Sequence, residues 1–142
     1  MQTSWARPAV GIVKINVDGA TAAQIGCMST GAIARDHLGT TLGISVSYVQ
    51  GMSSSRIAEA WAIREGLKLG KALELKRICI ESDAEAIVKW CVTDGDPPSD
   101  IAVLVQDCHD LKLCFDDFEK NTRLSFNLST TTSISAQPPP LP

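Results

Sequence analysis

The chain has 142 residues, 44% of them hydrophobic and 20% charged, with a formal net charge of −3. That length holds one domain with a real core and hardly two, and the composition excludes a disordered chain. The negative balance weighs against strong non-specific nucleic-acid binding, which relies on Lys and Arg to neutralise phosphates.

No apolar run reaches the length of a membrane span. Residues 1–8 lack the apolar core of a secretory signal. Cys27, Cys79, Cys91, Cys108 and Cys114 are odd in number and form no Cys-x-x-Cys pair. They read as reduced thiols, not as a disulfide framework. His37 and His109 make no zinc-ligand spacing with them. The expectation is an intracellular protein, nuclear or cytoplasmic and not secreted, with no membrane association and no specified protein partner.

In chain order, residues 10–18 read as a strand. Val13, Ile15 and Val17 alternate with Lys14, Asn16 and Asp18, the period of two of a half-buried sheet. Asp18 therefore shares a face with Asn16. Residues 21–30 are small and polar with Gly26, the composition of a loop or hairpin turn. Residues 30–35 and 40–49 read as two further strands, joined by the turn Asp36-His37-Leu38-Gly39. Together the three strands make an antiparallel meander.

Ser53-Ser54-Ser55 offers helix caps, and the pattern from Arg56 to about Leu73 is helical. Glu59 lies one turn inside that helix. Ala62, Ile63, Gly66 and Gly70 share its side at three- and four-residue spacing, so the carboxylate is expected to face the protein. Residues 77–81 contain the apolar run Ile78-Cys79-Ile80, expected to be a central strand buried on both faces. Ser82 and Glu85 have capping-box spacing and open a helix from Ala84 to about Thr93. Asp94-Gly95-Asp96-Pro97-Pro98 ends it. A further helix spans about Asp100 to Leu113. Beyond it, residues 115–118 and 124–128 offer one last strand.

The order βββαβα implies an α/β domain, a mixed sheet with helices packed on it. Its expected extent is residues 5–128, followed by a disordered Ser/Thr/Pro-rich tail over 129–142. A right-handed crossover would set the fourth strand parallel to the first, with Asp18 and Asp83 on neighbouring strands.

Asp18, Glu59 and Asp83 then come from a strand, a helix and a strand end. If the fold joins them, they make a hard-oxygen pocket suited to Mg²⁺ or Mn²⁺. Each also has an ordinary reading. Asp18-Gly19 is a favoured turn pair. Most helical glutamates are solvated, and Asp83 can simply assist Ser82 at a helix start.

Four segments carry a resemblance in the same order. They are Lys14-Ile15-Asn16-Val17-Asp18-Gly19-Ala20, residues 31–39, residues 58–67 and Ile80-Glu81-Ser82-Asp83. From about Trp5 to Leu113 the chain resembles the ribonuclease H-like family, in particular its plant reverse-transcriptase-like, retroelement-derived branch. The resemblance implies an endonuclease that hydrolyses the RNA strand of an RNA–DNA hybrid. It implies two Mg²⁺ or Mn²⁺ ions held by four carboxylates. By position, Asp18 would bridge the ions, Glu59 would help orient the attacking water, and Asp83 would complete the first ion's shell. Asn16, Gly19, Ser54 and Ser55 would contact the nucleic acid. The chain departs from the family after Leu113, where the usual final strand and helix are truncated or replaced and no acid matches the fourth ligand. The second ion site is weakened accordingly. The alternative function is a catalytically impaired nucleic-acid-binding module or a retroelement remnant.

Overall fold

The computed structural model describes residues 5–115 and the backbone of 125–128. The expected tail, and residues 116–118 of the last expected strand, lie outside the described residues.

Three antiparallel strands come first: β1 (Val13–Ala22), β2 (Cys27–Arg35) and β3 (Thr41–Gln50). Helix α1 (Ser55–Ala72) crosses over to β4 (Ile78–Ser82), which pairs parallel to β1. Helices α2 (Glu85–Val92) and α3 (Ala102–Lys112) follow, then β5 (Ser125–Leu128), parallel to β4. The sheet order is β3-β2-β1-β4-β5. This is the mixed sheet with packed helices that the element order implies.

Local chemistry accounts for the boundaries. The Asp36 carboxylate accepts from the Leu38 and Thr40 amides, closing the expected turn between β2 and β3. Ser54 caps α1, its Oγ accepting from the Ile57 amide at 3.3 Å. Ile78 and Ile80 of β4 have no solvent exposure and Cys79 has 7%, as a central strand requires.

Two boundaries differ from expectation. Residues 21–30 are mostly sheet: Thr21 pairs with Met28 and Ala22 with Cys27. Only a 3-10 turn at Ala23–Ile25 interrupts them, closed by Gly26 at φ 61°. Ladder hydrogen bonds belong to the backbone, so small polar residues extend a hairpin without an apolar signature. The capping box is also absent. Ser82 Oγ accepts from the Ala84 amide, and Ala84, the residue before α2, makes no side-chain cap. Ser82 is itself the last residue of β4 and 2% exposed, which places its hydroxyl at a tight strand-to-helix turn.

The core lies between α1 and one face of the sheet. Ile15, Val17, Ala32, Ala34, Ile78 and Ile80 meet Ala62, Ile63 and Leu67 of α1. Burying each large aliphatic side chain contributes about 1.5–3 kcal/mol. Cys91, Ile101, Val105 and Cys108 extend this core through α2 and α3. The opposite face of the sheet carries Lys14, Asn16 and Asp18 of β1, and Ile44, Val46 and Tyr48 of β3 on the same parity. No described helix is long and apolar enough to cross a membrane.

Gly66 sets how closely α1 lies on the sheet. A Cβ there would stand 2.5 Å from Val17 Cγ1 and 3.5 Å from Ile15 Cγ2 and Ile80 Cδ1. Gly66→Ala is therefore expected to cost about 1–3 kcal/mol, from overpacking at a seam that must widen. Urea unfolding checks this; a variant as stable as wild type would show that the seam has slack.

Candidate metal centre

Three elements deliver the candidate ligands. Asp18 lies in β1 on the face opposite α1. β4 runs parallel to β1 with Asn16 opposite Glu81, and two residues further along each stand Asp18 and Asp83. α1 starts beside them, with Glu59 on its second turn. One carboxylate oxygen from each of Asp18, Glu59 and Asp83 lies within 4.8 Å of the others. All three residues are half-buried.

Gly19 joins strand to helix at this point. Its amide donates to Glu59 Oε1 at 3.1 Å. A Cβ at Gly19 would fall 2.4 Å from the Ala58 carbonyl oxygen, a backbone atom that cannot step aside. Only glycine lets β1 approach α1 closely enough for this bond.

The electrostatics are unfavourable without a cation. Glu59 is raised from 4.5 to about 7, chiefly by burial, then by the neighbouring charges of Asp18 and Asp83, against the lowering by the Gly19 amide. Both charges acting on it are negative. Glu65, on the same helix and 9% exposed, differs: Arg64 and Lys68 lie 3.4 and 3.6 Å from its Oε2. Side-chain cations balance the buried Glu65, whereas half-buried Glu59 has the Gly19 amide and two neighbouring carboxylates. Three clustered carboxylate oxygens are the donor set of a hard divalent cation that keeps part of its water shell, so the residues fit Mg²⁺ or Mn²⁺.

The other sequence-derived candidates have distinct placements. Asn16 is 6% exposed, with its amide bonded to Trp5 and Glu81. Ser54 is the cap of α1, and Ser55 is exposed at its first turn. Beside Asp18, residues of β1, β2 and β3 line a groove of about 270 Å³ that includes Ser29, Thr30, Arg35 and Val46. Sequence reasoning missed Trp5 and Glu81 as partners of Asn16, and Lys14 as the partner of Glu81. The parity shared by Lys14, Asn16 and Asp18 was the available signal.

A family profile described as reverse transcriptase-like matches residues 16–124, a span that holds all three carboxylates. The chain belongs to the reverse transcriptase-like family, as a ribonuclease H-like domain. An Arabidopsis thaliana protein with a provisional ribonuclease H name is 34% identical over 105 residues, 74% of this chain and 17% of that protein. The domain thus spans about one sixth of that relative's length. Among solved structures, RNase H1 of the archaeon Halobacterium salinarum superposes with a TM-score of 0.70 at 18% identity, covering 83% of this chain and 85% of that one. LC11-RNase H1, solved in complex with an RNA/DNA hybrid, gives a TM-score of 0.65 at 19% identity, covering 82% and 84%. These likenesses establish the fold; within it, this chain's parallel β1–β4 pair brings Asp18 and Asp83 near each other.

The raised Glu59 value has a measurable consequence in the metal-free domain. A carboxyl whose folded value lies above its unfolded one lowers stability as pH rises through the interval between them. For Glu59 that interval runs from 4.5 to about 7. In EDTA, Glu59→Gln is expected to be more stable than wild type at pH 8, by about 1 kcal/mol after allowing for partial solvent screening. The difference should vanish by pH 4. Urea titrations at several pH values check it, and a gain independent of pH would contradict the electrostatic account.

Proposed function

We propose that this domain hydrolyses the RNA strand of an RNA–DNA hybrid, with Mg²⁺ or Mn²⁺ held by Asp18, Glu59 and Asp83. The observation that carries the reading is the convergence of these three carboxylates on a ribonuclease H-like scaffold. The hybrid bound to LC11-RNase H1 supports the substrate class by analogy. A hybrid is recognised mainly by groove shape and the 2′-hydroxyl, so an acidic domain does not need a large basic surface to select it.

A bound divalent cation would supply charge stabilisation at the phosphate and a more acidic water. The chain's own residues do the rest. Asp18 within β1 and Asp83 one residue past the end of β4 present oxygens from two neighbouring strands. Glu59 has one oxygen held by the Gly19 amide, which suits a carboxylate that orients a water beside the cation. The Gly19 bond fixes the Glu59 carboxylate relative to Asp18 in the same strand.

A second reading is a module that binds hybrid without cutting it. It is favoured by the cluster's size, three carboxylates among the described residues where the family resemblance implies four. A labelled hybrid incubated with Mg²⁺, and separately with Mn²⁺, distinguishes the two. The catalytic reading expects cleavage of the RNA strand that EDTA abolishes and that Asp83→Asn lowers at least about 100-fold. Salt-sensitive binding with no cleavage by folded wild type would reject catalysis and leave the binding module.

A further inference from the structure

A closed polar cluster sits on the Asp18 face of the sheet, next to the carboxylates. Trp5 Nε1 donates to Asn16 Oδ1 at 3.0 Å, and Asn16 Nδ2 donates to Glu81 Oε1 at 2.6 Å. Lys14 Nζ lies 3.6 Å from Glu81 Oε2 and donates to the Ala6 carbonyl at 2.6 Å. Lys14 and Arg35 both lie over the Trp5 ring, 5.5 and 5.8 Å from its centroid. Lys14, Asn16 and Arg35 are only 4%, 6% and 4% exposed, although they sit on the face opposite α1. The segment from Trp5 folds over them as a strap.

The place of this cluster in the sheet gives it a purpose. Asn16 and Glu81 are the last paired residues of the β1–β4 ladder. Asp18 and Asp83 lie two residues past that pair, Asp83 just beyond the end of β4, with carboxylate oxygens within 4.8 Å of each other. Main-chain pairing of β1 with β4 therefore ends before the two aspartates, and the Asn16–Glu81 side-chain bond adds a cross-link at that last pair. With its Nδ2 on Glu81, Asn16 turns its Oδ1 to Trp5, which supplies the matching donor. Asn16 is buried while Trp5 and Glu81 are half-buried, so removing the Trp5 donor leaves the Asn16 oxygen without its partner.

We propose that Trp5 is a positioning residue: through Asn16 and Glu81 it closes the end of the β1–β4 seam and sets the Asp18–Asp83 spacing on which cation binding depends. The inference rests on the cation-site reading above. It differs from a purely stabilising role, in which loss of Trp5 would lower the unfolding midpoint and leave the affinity of the folded domain for cations untouched.

The test is a Mn²⁺ titration followed by electron paramagnetic resonance, paired with urea unfolding of each protein. Trp5→Phe keeps the ring beneath Lys14 and Arg35 and loses only the N–H donor. Asn16→Leu removes the bridge at similar volume and serves if the Trp5 variant fails to fold. Val105→Ala, in the core on α3, lowers stability away from the site. The expected result is Mn²⁺ binding weakened about 10-fold in Trp5→Phe and Asn16→Leu, as for loss of a ligand's supporting partner, with wild-type affinity in Val105→Ala. Wild-type affinity in Trp5→Phe and Asn16→Leu would overturn the positioning role while leaving the cation site standing. Equal weakening in Val105→Ala would also overturn it, by tracing the effect to stability alone. Absence of Mn²⁺ binding in wild type would remove the cation site itself, and the inference with it.

Discussion

The approach of α1 to β1 is the constraint on which the rest depends. At Gly19 and Gly66 the helix lies so near the sheet that a methyl group would meet Ala58 O at 2.4 Å or Val17 Cγ1 at 2.5 Å. Between those contacts, Ala58 and Ala62 add almost no bulk and are fully buried. This small-residue seam stabilises the core by dense packing. It also brings a helical glutamate within hydrogen-bond reach of a strand amide. A looser seam would leave the core foldable but would separate Glu59 from Asp18.

That closeness carries an electrostatic cost. Glu59 is partly desolvated beside two other carboxylates, and its raised proton affinity records the cost. The same helix places side-chain cations beside its other glutamate at the sheet, since Arg64 and Lys68 attend Glu65. Carboxylates from three elements that converge beside a partly buried glutamate are the donor set that the proposed divalent cation would use. Around it, the protein supplies rigidity on both sides: the Gly19 amide behind Glu59, and the Trp5–Asn16–Glu81 cluster behind the two aspartates.

Much of this was legible before the structure, for identifiable reasons. The alternation from Val13 to Asp18 fixes which face Asp18 occupies, because a strand has a period of two. The inward turn of Glu59 followed from Ala62, Ile63, Gly66 and Gly70, since only a packed helix face is so small. Ile78-Cys79-Ile80 marked a central strand, and its crossover placed it beside β1. The β1–β2 hairpin was expected but the reach of its strands was not, because backbone ladders do not require large apolar side chains at residues 21–30. Ser82 misled because the spacing of a capping box says nothing about the turn angle between β4 and α2. The bonding of Asn16 was hidden for another reason: its partners lie 11 and 65 residues away, beyond any local pattern.

The central claim is that Asp18, Glu59 and Asp83 form one cation site. The most direct measurement is an anomalous difference map from crystals of the domain grown with Mn²⁺. The account predicts a peak in contact with carboxylate oxygens of all three residues, lost in Asp18→Asn crystals. Strong anomalous density elsewhere on the surface and none between these carboxylates at saturating Mn²⁺ would contradict it.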